Sequence, residues 1–419
     1  MPEPAGSQRV LWVTNQPPDR NLGGGSIRQA YLFGALAHRY AVDLLLAGEL
    51  RDDDVRAAAA HVTELRTRPA VWTSHPVLRK PLLLALTLGY PYPLTAYLGG
   101  SARRRLTRAV RRDHEAYDLV VVEHTALVPV IPASHPQRWV ITLHNLLSGM
   151  METEAELAPT ATKRWFRRRD AAKARRLEAR AVRSYDRCIA CAQEDATALR
   201  SLARPEASGR VAVIPNGVDL EQFRPTPLPD SPVVLFPATL GYPPNVDGAI
   251  WFCTEIWPLV RAAVPEARLL LVGRSPAPAV LRLADIAGVE VQADVPSMVS
   301  YFEGARAVVV PLRVGTGTRL KALQGMAAAR PVIGTAVGLE GLGMADGVQG
   351  RVVDAPGELA GALVDVLRDR ELAARLGSAG RRHVEGQFGW ERMGRQFVEL
   401  IAELLDAPAP RYSTAGAIR

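Results

Sequence analysis

The feature that most constrains this chain is an alternation that runs twice. Short runs rich in Val, Ile and Leu, each followed by a helical stretch, recur as RVLWVT from Arg9, AVDLLLA from Ala41, DLVVVE from Asp118, RWVITLH from Arg138, RCIACA from Arg187 and RVAVIP from Arg210. Apolar runs of this kind suit strands buried on both faces of a parallel sheet. After the proline-rich stretch FRPTPLPDSP the pattern restarts with VVLFPA from Val233, ARLLLVG from Ala267, VEVQADV from Val289, ARAVVVPL from Ala305, PVIGT from Pro331 and GRVVD from Gly350. Two βαβ series joined by a proline-rich linker predict an α/β chain of two doubly wound, Rossmann-like domains with a cleft between them. Length agrees, because 419 residues are more than one ordinary core serves. The expected domains are 1–222 and 223–389, with an amphipathic helix over 390–405 packing back on the first and a disordered tail over 406–419.

Composition narrows the class. With 48% apolar and 22% charged residues the chain reads as folded and soluble. No basic segment leads into an apolar run of signal length, and no stretch approaches the ~20 apolar residues that span a bilayer, so a cytoplasmic location is expected. Three cysteines are too few for a disulfide framework, and Cys188 and Cys191, spaced C-x-x-C in a strand run, should point to opposite faces. A net charge of +8 and a pI of about 9.7 favour anionic partners. Much of that excess sits in one alanine-rich helical stretch holding Lys163, Arg164, Arg167, Arg168, Arg169, Lys173, Arg175, Arg176, Arg180 and Arg183. It reads equally as a solvated face balanced by acids and as a patch facing an anionic membrane or the acceptor. The apolar segment PLLLALTLGYPYPLTAYL from Pro81 is too short to span a membrane and reads first as core packing, second as an acceptor or lipid contact.

Ligands of open parallel sheets bind beyond the carboxyl ends of the strands, so the loops there should carry the chemistry. The strongest is AVVVPLRVGTGTRLKALQGMA, a strand, a loop with Gly315 and Gly317, and a helix capped by Thr316 or Thr318 with Arg319 and Lys321 in its first turn. Free amides, the positive end of the helix dipole and two cations make an anion site, and those cations are unfavourable there without an anion. No G-x-G-x-x-G follows the first strand, GTGTRL fails that pattern at its last position, and no Walker A sequence is present. The first strand leads instead into NQPPDRNLGGGSIRQAYLFGALA, where Gly23, Gly24 and Gly25 precede a helix capped by Ser26, a second potential anion or substrate loop. The acidic run at Asp52, Asp53 and Asp54 reads as a helix cap.

The glycine loop after the first strand, IPNGVD at Ile214, GYPPNVDGAIWF at Gly241, LLLVGR at Leu269 and GTRLKALQGMAAARPVIGTAVGLEGL at Gly317 together resemble the GT-B glycosyltransferases of family 4, in the branch with G-T-R-L-K. The resemblance runs over nearly the whole chain. It implies sugar transfer from a nucleotide diphosphate donor, with retention, without a metal and with no cofactor beyond the nucleotide sugar. It matches Arg319 and Lys321 to the residues that hold the diphosphate, and Gly24 and Gly25 to the loop that closes over it. It places His144 near the transferred sugar, where its ring or carbonyl meets a hydroxyl or the forming positive charge, and puts Asn245, Arg274, Thr316, Gly317, Thr318 and Gln324 about the donor. Many relatives carry G-R-L and a lysine where this chain has PATLGYPPN, and an E-x7-E pair where it has Thr316 and Gln324; the phosphate charge is left to Arg319 and Lys321. The expected partners are a nucleotide sugar, an acceptor and an anionic membrane surface, with no nucleic acid. The competing readings are a nucleotide-sugar epimerase on the same fold and a basic membrane-peripheral protein of weak activity.

Overall fold

The computed structural model describes residues 8–20, 22–65, 100–132, 135–315 and 319–408. The apolar segment from Pro81, most of the expected tail, and Thr316, Gly317 and Thr318 lie outside them. The chain divides into two compact units, the first taking residues up to Ala155, Thr160–Pro215 and residues from Met393 on, the second Glu156–Pro159 and Asn216–Arg392.

In the first unit β1 (Arg9–Thr14), β2 (Ala41–Leu46), β3 (His61–Glu64), β4 (Leu119–Glu123), β5 (Arg138–Leu143), β6 (Arg187–Ala190) and β7 (Val211–Val213) form a parallel sheet in the order β3-β2-β1-β4-β5-β6-β7. The second holds β8 (Val233–Thr239), β9 (Arg268–Arg274), β10 (Val289–Ala293), β11 (Ala307–Val310), β12 (Val332–Gly334) and β13 (Arg351–Val352), parallel and ordered β10-β9-β8-β11-β12-β13. Every expected strand run forms a strand. In each sheet the winding reverses beside the unit's first strand, at β1/β4 and at β8/β11, and it is at such reversals that the loops leaving the strands open a crevice.

Apolar strand faces make the cores. Val120, Val122, Trp139 and Ile141 are buried in the first unit, where Trp139 meets Tyr185 edge-on. Phe236, Trp257, Leu271, Val309 and Leu363 are buried in the second. Each such side chain stabilises its unit by roughly 1.5–3 kcal/mol. The helix Trp390–Asp406 turns an apolar face inward: Phe397 lies edge-on to Trp12 of β1 at 6.0 Å, and Arg138 donates to the Ala407 carbonyl at 2.7 Å just beyond its end.

The basic stretch is one helix, Ala161–Ser184, capped by Thr160, whose hydroxyl accepts from the Lys163 amide. Acids offset part of its charge, with Arg167 on Glu154, Arg175 on Glu152 and Lys173 beside Asp170. Its buried Glu178 accepts from the amide and hydroxyl of Ser148, tying it to the helix Leu147–Glu156. Trp165, 59% exposed, and Phe166 stand out toward solvent. Among the described residues no helix is long and apolar enough to cross a membrane. Cys188 and Cys191 are buried free thiols; burial pushes Cys191 up to about 11, and its Sγ donates to the Leu143 carbonyl. The Asp52 carboxylate caps its helix by accepting from the Val55 amide at 3.1 Å. Ser26 does not cap: the helix is Gly24–Ala37 with Gly23 at the cap, because the glycine backbone turns into the helix earlier and carries Ser26 into the buried first turn.

Candidate active site

In the second unit the site is built where β8, β11 and β12 end. The helix after β11 is Leu320–Ala327, and Arg319 stands at its cap position, one place before the first turn where the sequence pattern put it. Lys321 is inside that turn. The Arg319 side chain, 8% exposed, donates to the Val337 carbonyl, through Nε at 3.3 Å and Nη2 at 3.2 Å, in the stretch that follows β12. Gly315 has φ +136°, and a Cβ there would come within 3.2 Å of the Arg319 guanidinium, so the loop needs glycine for backbone and for space. Lys321 donates from Nζ to Oδ1 of Asn245 at 2.8 Å and lies over the Phe236 ring. Asn245 is held in turn by donating from Nδ2 to the Thr239 carbonyl at the end of β8. Burial, with the Arg319 charge second, pulls the Lys321 ammonium down to about 7.

Arg274 closes β9, and its carbonyl accepts from the Leu240 amide, which draws the loops leaving β8 and β9 together. Gly241 packs against the Ser275 carbonyl so closely that a Cβ would lie 2.4 Å from it. Gln324 follows Lys321 by one turn on the same helix and is partly buried. The structure therefore gathers Asn245, Arg319 and Lys321 into one basic, amide-rich junction, with Gln324 one turn along the same helix and Arg274 at the end of β9. Among the described residues no three His, Cys, Asp or Glu side chains gather so as to hold a metal ion.

In the first unit Gly24 and Gly25 begin the helix after β1, and His144 follows β5. Gly25 and His144 are brought together: a Cβ on Gly25 would sit 2.8 Å from His144 Nδ1. His144 is one part of a buried group that sequence reading missed. Glu123, the last residue of β4 and fully buried, meets Nε2 of His144 through Oε2 at 2.5 Å and also accepts from the Thr142 hydroxyl. His124 has φ +73° and its ring lies tilted against that of His144 with centroids 4.1 Å apart, with Gln29 donating to its Nε2 at 3.0 Å. Arg28, 1% exposed, donates to the Pro215 carbonyl. Burial raises the Glu123 carboxyl to about 7 and lowers His124 to about 3; His144 falls well below its ordinary value, by burial and then by the Arg28 charge. The signal was present, since DLVVVE ends a fully apolar strand on an acid, and a buried acid needs partners.

Comparison with known proteins agrees with this architecture. The profile described as Glycosyltransferase Family 4 matches residues 22–222, and that described as Glycosyl transferases group 1 matches residues 231–369. A D-inositol 3-phosphate glycosyltransferase of Streptomyces avermitilis is 30% identical over 260 residues, 55% of this chain and 54% of that protein. A GDP-mannose-dependent monoacylated alpha-(1-6)-phosphatidylinositol monomannoside mannosyltransferase of Corynebacterium glutamicum is 30% identical over 216 residues, 45% of this chain and 55% of that protein. The chain thus spans about half the length of the curated relatives it matches. Among solved structures, a sucrose-phosphate synthase from Thermosynechococcus elongatus gives a TM-score of 0.69 at 21% identity, over 96% of this chain and 100% of that one. HepE of Anabaena in complex with UDP and glucose gives 0.63 at 15% identity, over 94% and 99%. At such identities the likeness speaks for the fold, which is GT-B. With one family profile matching from β2 to β7 and a second across the other sheet, the chain belongs to the GT-B glycosyltransferases of family 4.

Proposed function

We propose that this chain moves a sugar from a nucleotide diphosphate donor to an acceptor, and that Arg319 and Lys321 hold the diphosphate. One observation carries the reading: Arg319 and Lys321 stand together at the start of a helix beside the glycine loop at Gly315, where an anion is favoured. Relatives support it by name, one being GDP-mannose-dependent and HepE having been crystallised with UDP and glucose. As the bond from the sugar to the diphosphate lengthens, negative charge grows on the leaving oxygens. Fixed cations and helix amides stabilise that charge without reorganising. The transfer proceeds with retention and needs no metal, the departing diphosphate taking the acceptor proton on the same face. Asn245 fixes the Lys321 ammonium, Gln324 accepts from the ribose, Arg274 flanks the donor, and Thr316, Gly317 and Thr318 belong to the donor-binding set. His144, with Gly24 and Gly25 beside it, contacts the transferred sugar.

A thermal-shift screen against UDP, GDP, ADP, dTDP and their sugars tests the reading. A true donor at about a hundred times its Kd stabilises the fold by ~2.7 kcal/mol and raises Tm by several degrees. If no diphosphate shifts Tm, the reading is wrong. The epimerase reading separates at the product, because an epimerase turns over the donor without any acceptor.

The acceptor side includes an anionic membrane surface at the cytoplasmic face. Support comes from the helix Ala161–Ser184, where exposed Trp165 and Phe166 lie under the Arg169 guanidinium, 5.6 and 5.3 Å from their centroids. Such a basic and aromatic face suits an anionic interface. Vesicles rich in phosphatidylserine should float the protein and neutral vesicles should not, with Trp165→Glu weakening flotation. Equal flotation with both removes the membrane contact.

A further inference from the structure

The polar group around Glu123 is expensive for a fold that needs only stability. Leu119, Val120, Val121 and Val122 of β4 are apolar and buried, and a fifth apolar residue would pack there without desolvating a carboxylate. Glu123 instead stands in register with Thr142 of β5, and its Oε2 takes both the Thr142 hydroxyl and the His144 ring. Three buried polar atoms of the group have no hydrogen-bond partner: Oε1 of Glu123, Oε1 of Gln29 and Nδ1 of His144. The last is the one Gly25 faces, at a position where a methyl would collide with it.

A neutral imidazole carries one proton, and the partner of one nitrogen decides which nitrogen holds it. Ionised, the Glu123 carboxylate only accepts, so against its Oε2 the His144 Nε2 donates. Nδ1 is then an acceptor.

We propose that Glu123 is a positioning residue for His144: its carboxylate fixes the Nε2–H tautomer, and so leaves Nδ1 as a buried acceptor for a hydroxyl of a polyhydroxylated ring. The His124 ring, itself anchored by Gln29, packs tilted against the imidazole at 4.1 Å between centroids. That the ring is the transferred sugar rests on the proposed function; the tautomer does not.

The experiment is long-range 1H–15N correlation of 15N-histidine-labelled full-length protein at about pH 8, above the raised Glu123 value, with His144→Asn to assign the signal. The parent should show His144 protonated on Nε2. Glu123→Gln, whose amide donates to Nε2, should move the proton to Nδ1. In turnover with the nucleotide sugar that the thermal screen selects, Glu123→Gln should lower kcat about 10–100-fold, the usual loss for a supporting residue behind a ligand, while the Kd of the free diphosphate stays unchanged. In the His144→Asn background the same change should cost nothing more. An Nδ1–H tautomer in the parent, an unmoved proton in Glu123→Gln, or an equal loss in the His144→Asn background overturns the proposal. The parent spectrum needs no variant, so a Glu123→Gln chain that failed to fold would leave that arm decisive. The expected tautomer without turnover of any nucleotide sugar would sink the proposed function and leave the positioning role standing.

Discussion

Binding a diphosphate at Lys321 should take up a proton. The Lys321 ammonium is packed over Phe236 beside Arg319, and burial holds it down to about 7. At about pH 8 it is therefore roughly one-tenth charged, whereas a lysine against a doubly charged phosphate group stays protonated at or above its ordinary value of about 10.4. Binding should draw about 0.9 proton from solvent at that pH, and Kd should rise about tenfold, or ~1.4 kcal/mol, for each pH unit above 7. The sign follows from which state holds the proton: the complex binds more protons than the free protein, so raising the pH disfavours it. Calorimetry of the selected nucleoside diphosphate in buffers of different ionisation enthalpy reads the uptake directly. Lys321→Arg should abolish it, because arginine is charged before and after binding. A Kd that is flat between about pH 7 and 9, or a binding heat independent of buffer, would refute the reasoning.

Arg319→Ala should lower kcat/KM for the donor by about 2–4 kcal/mol, the range for removing one oriented electrostatic stabiliser, and turnover at the parent rate would count against the phosphate assignment. Gly25→Ala puts a methyl 2.8 Å from His144 Nδ1, so kcat should fall; an unchanged kcat would detach this nitrogen from the sugar. Gln324→Glu should keep activity or lower the donor KM, since a carboxylate accepts more strongly from a ribose hydroxyl, while Gln324→Leu should raise it. A dead Glu variant beside a normal Leu variant would mean that Gln324 does not face the ribose.

The apolar runs announced their strands because a strand buried on both faces leaves no room for polar residues. The strand β3, His61–Glu64, escaped for the converse reason: it is an edge strand with a mixed sequence, held to β2 by backbone pairing more than by burial. Caps were half legible. Asp52 read correctly because its carboxylate reaches the Val55 amide in the first turn, whereas Ser26 failed because glycine at 23 needs no side chain to start the helix. The basic junction at Arg319 and Lys321 could be located because all its parts but Asn245 lie within one short segment. The His144 group could not, since Gln29, Glu123 and the pair Thr142 and His144 come from three separate segments and only the β4–β5 register and the first helix bring them together. A lone acid ending an apolar strand marks where to look without saying what it holds.

The central claim is tested most directly by following a labelled sugar. A nucleotide sugar chosen by thermal shift and carrying label on the sugar would be incubated with the protein and a membrane extract rich in hydroxyl-bearing lipids and glycans. Label should pass to the extract with one nucleoside diphosphate released per sugar moved, and Arg319→Ala should suppress both together. Label that stays on the nucleotide, whether epimerised or unchanged, while the diphosphate binds as tightly to Arg319→Ala as to the parent, would contradict the claim.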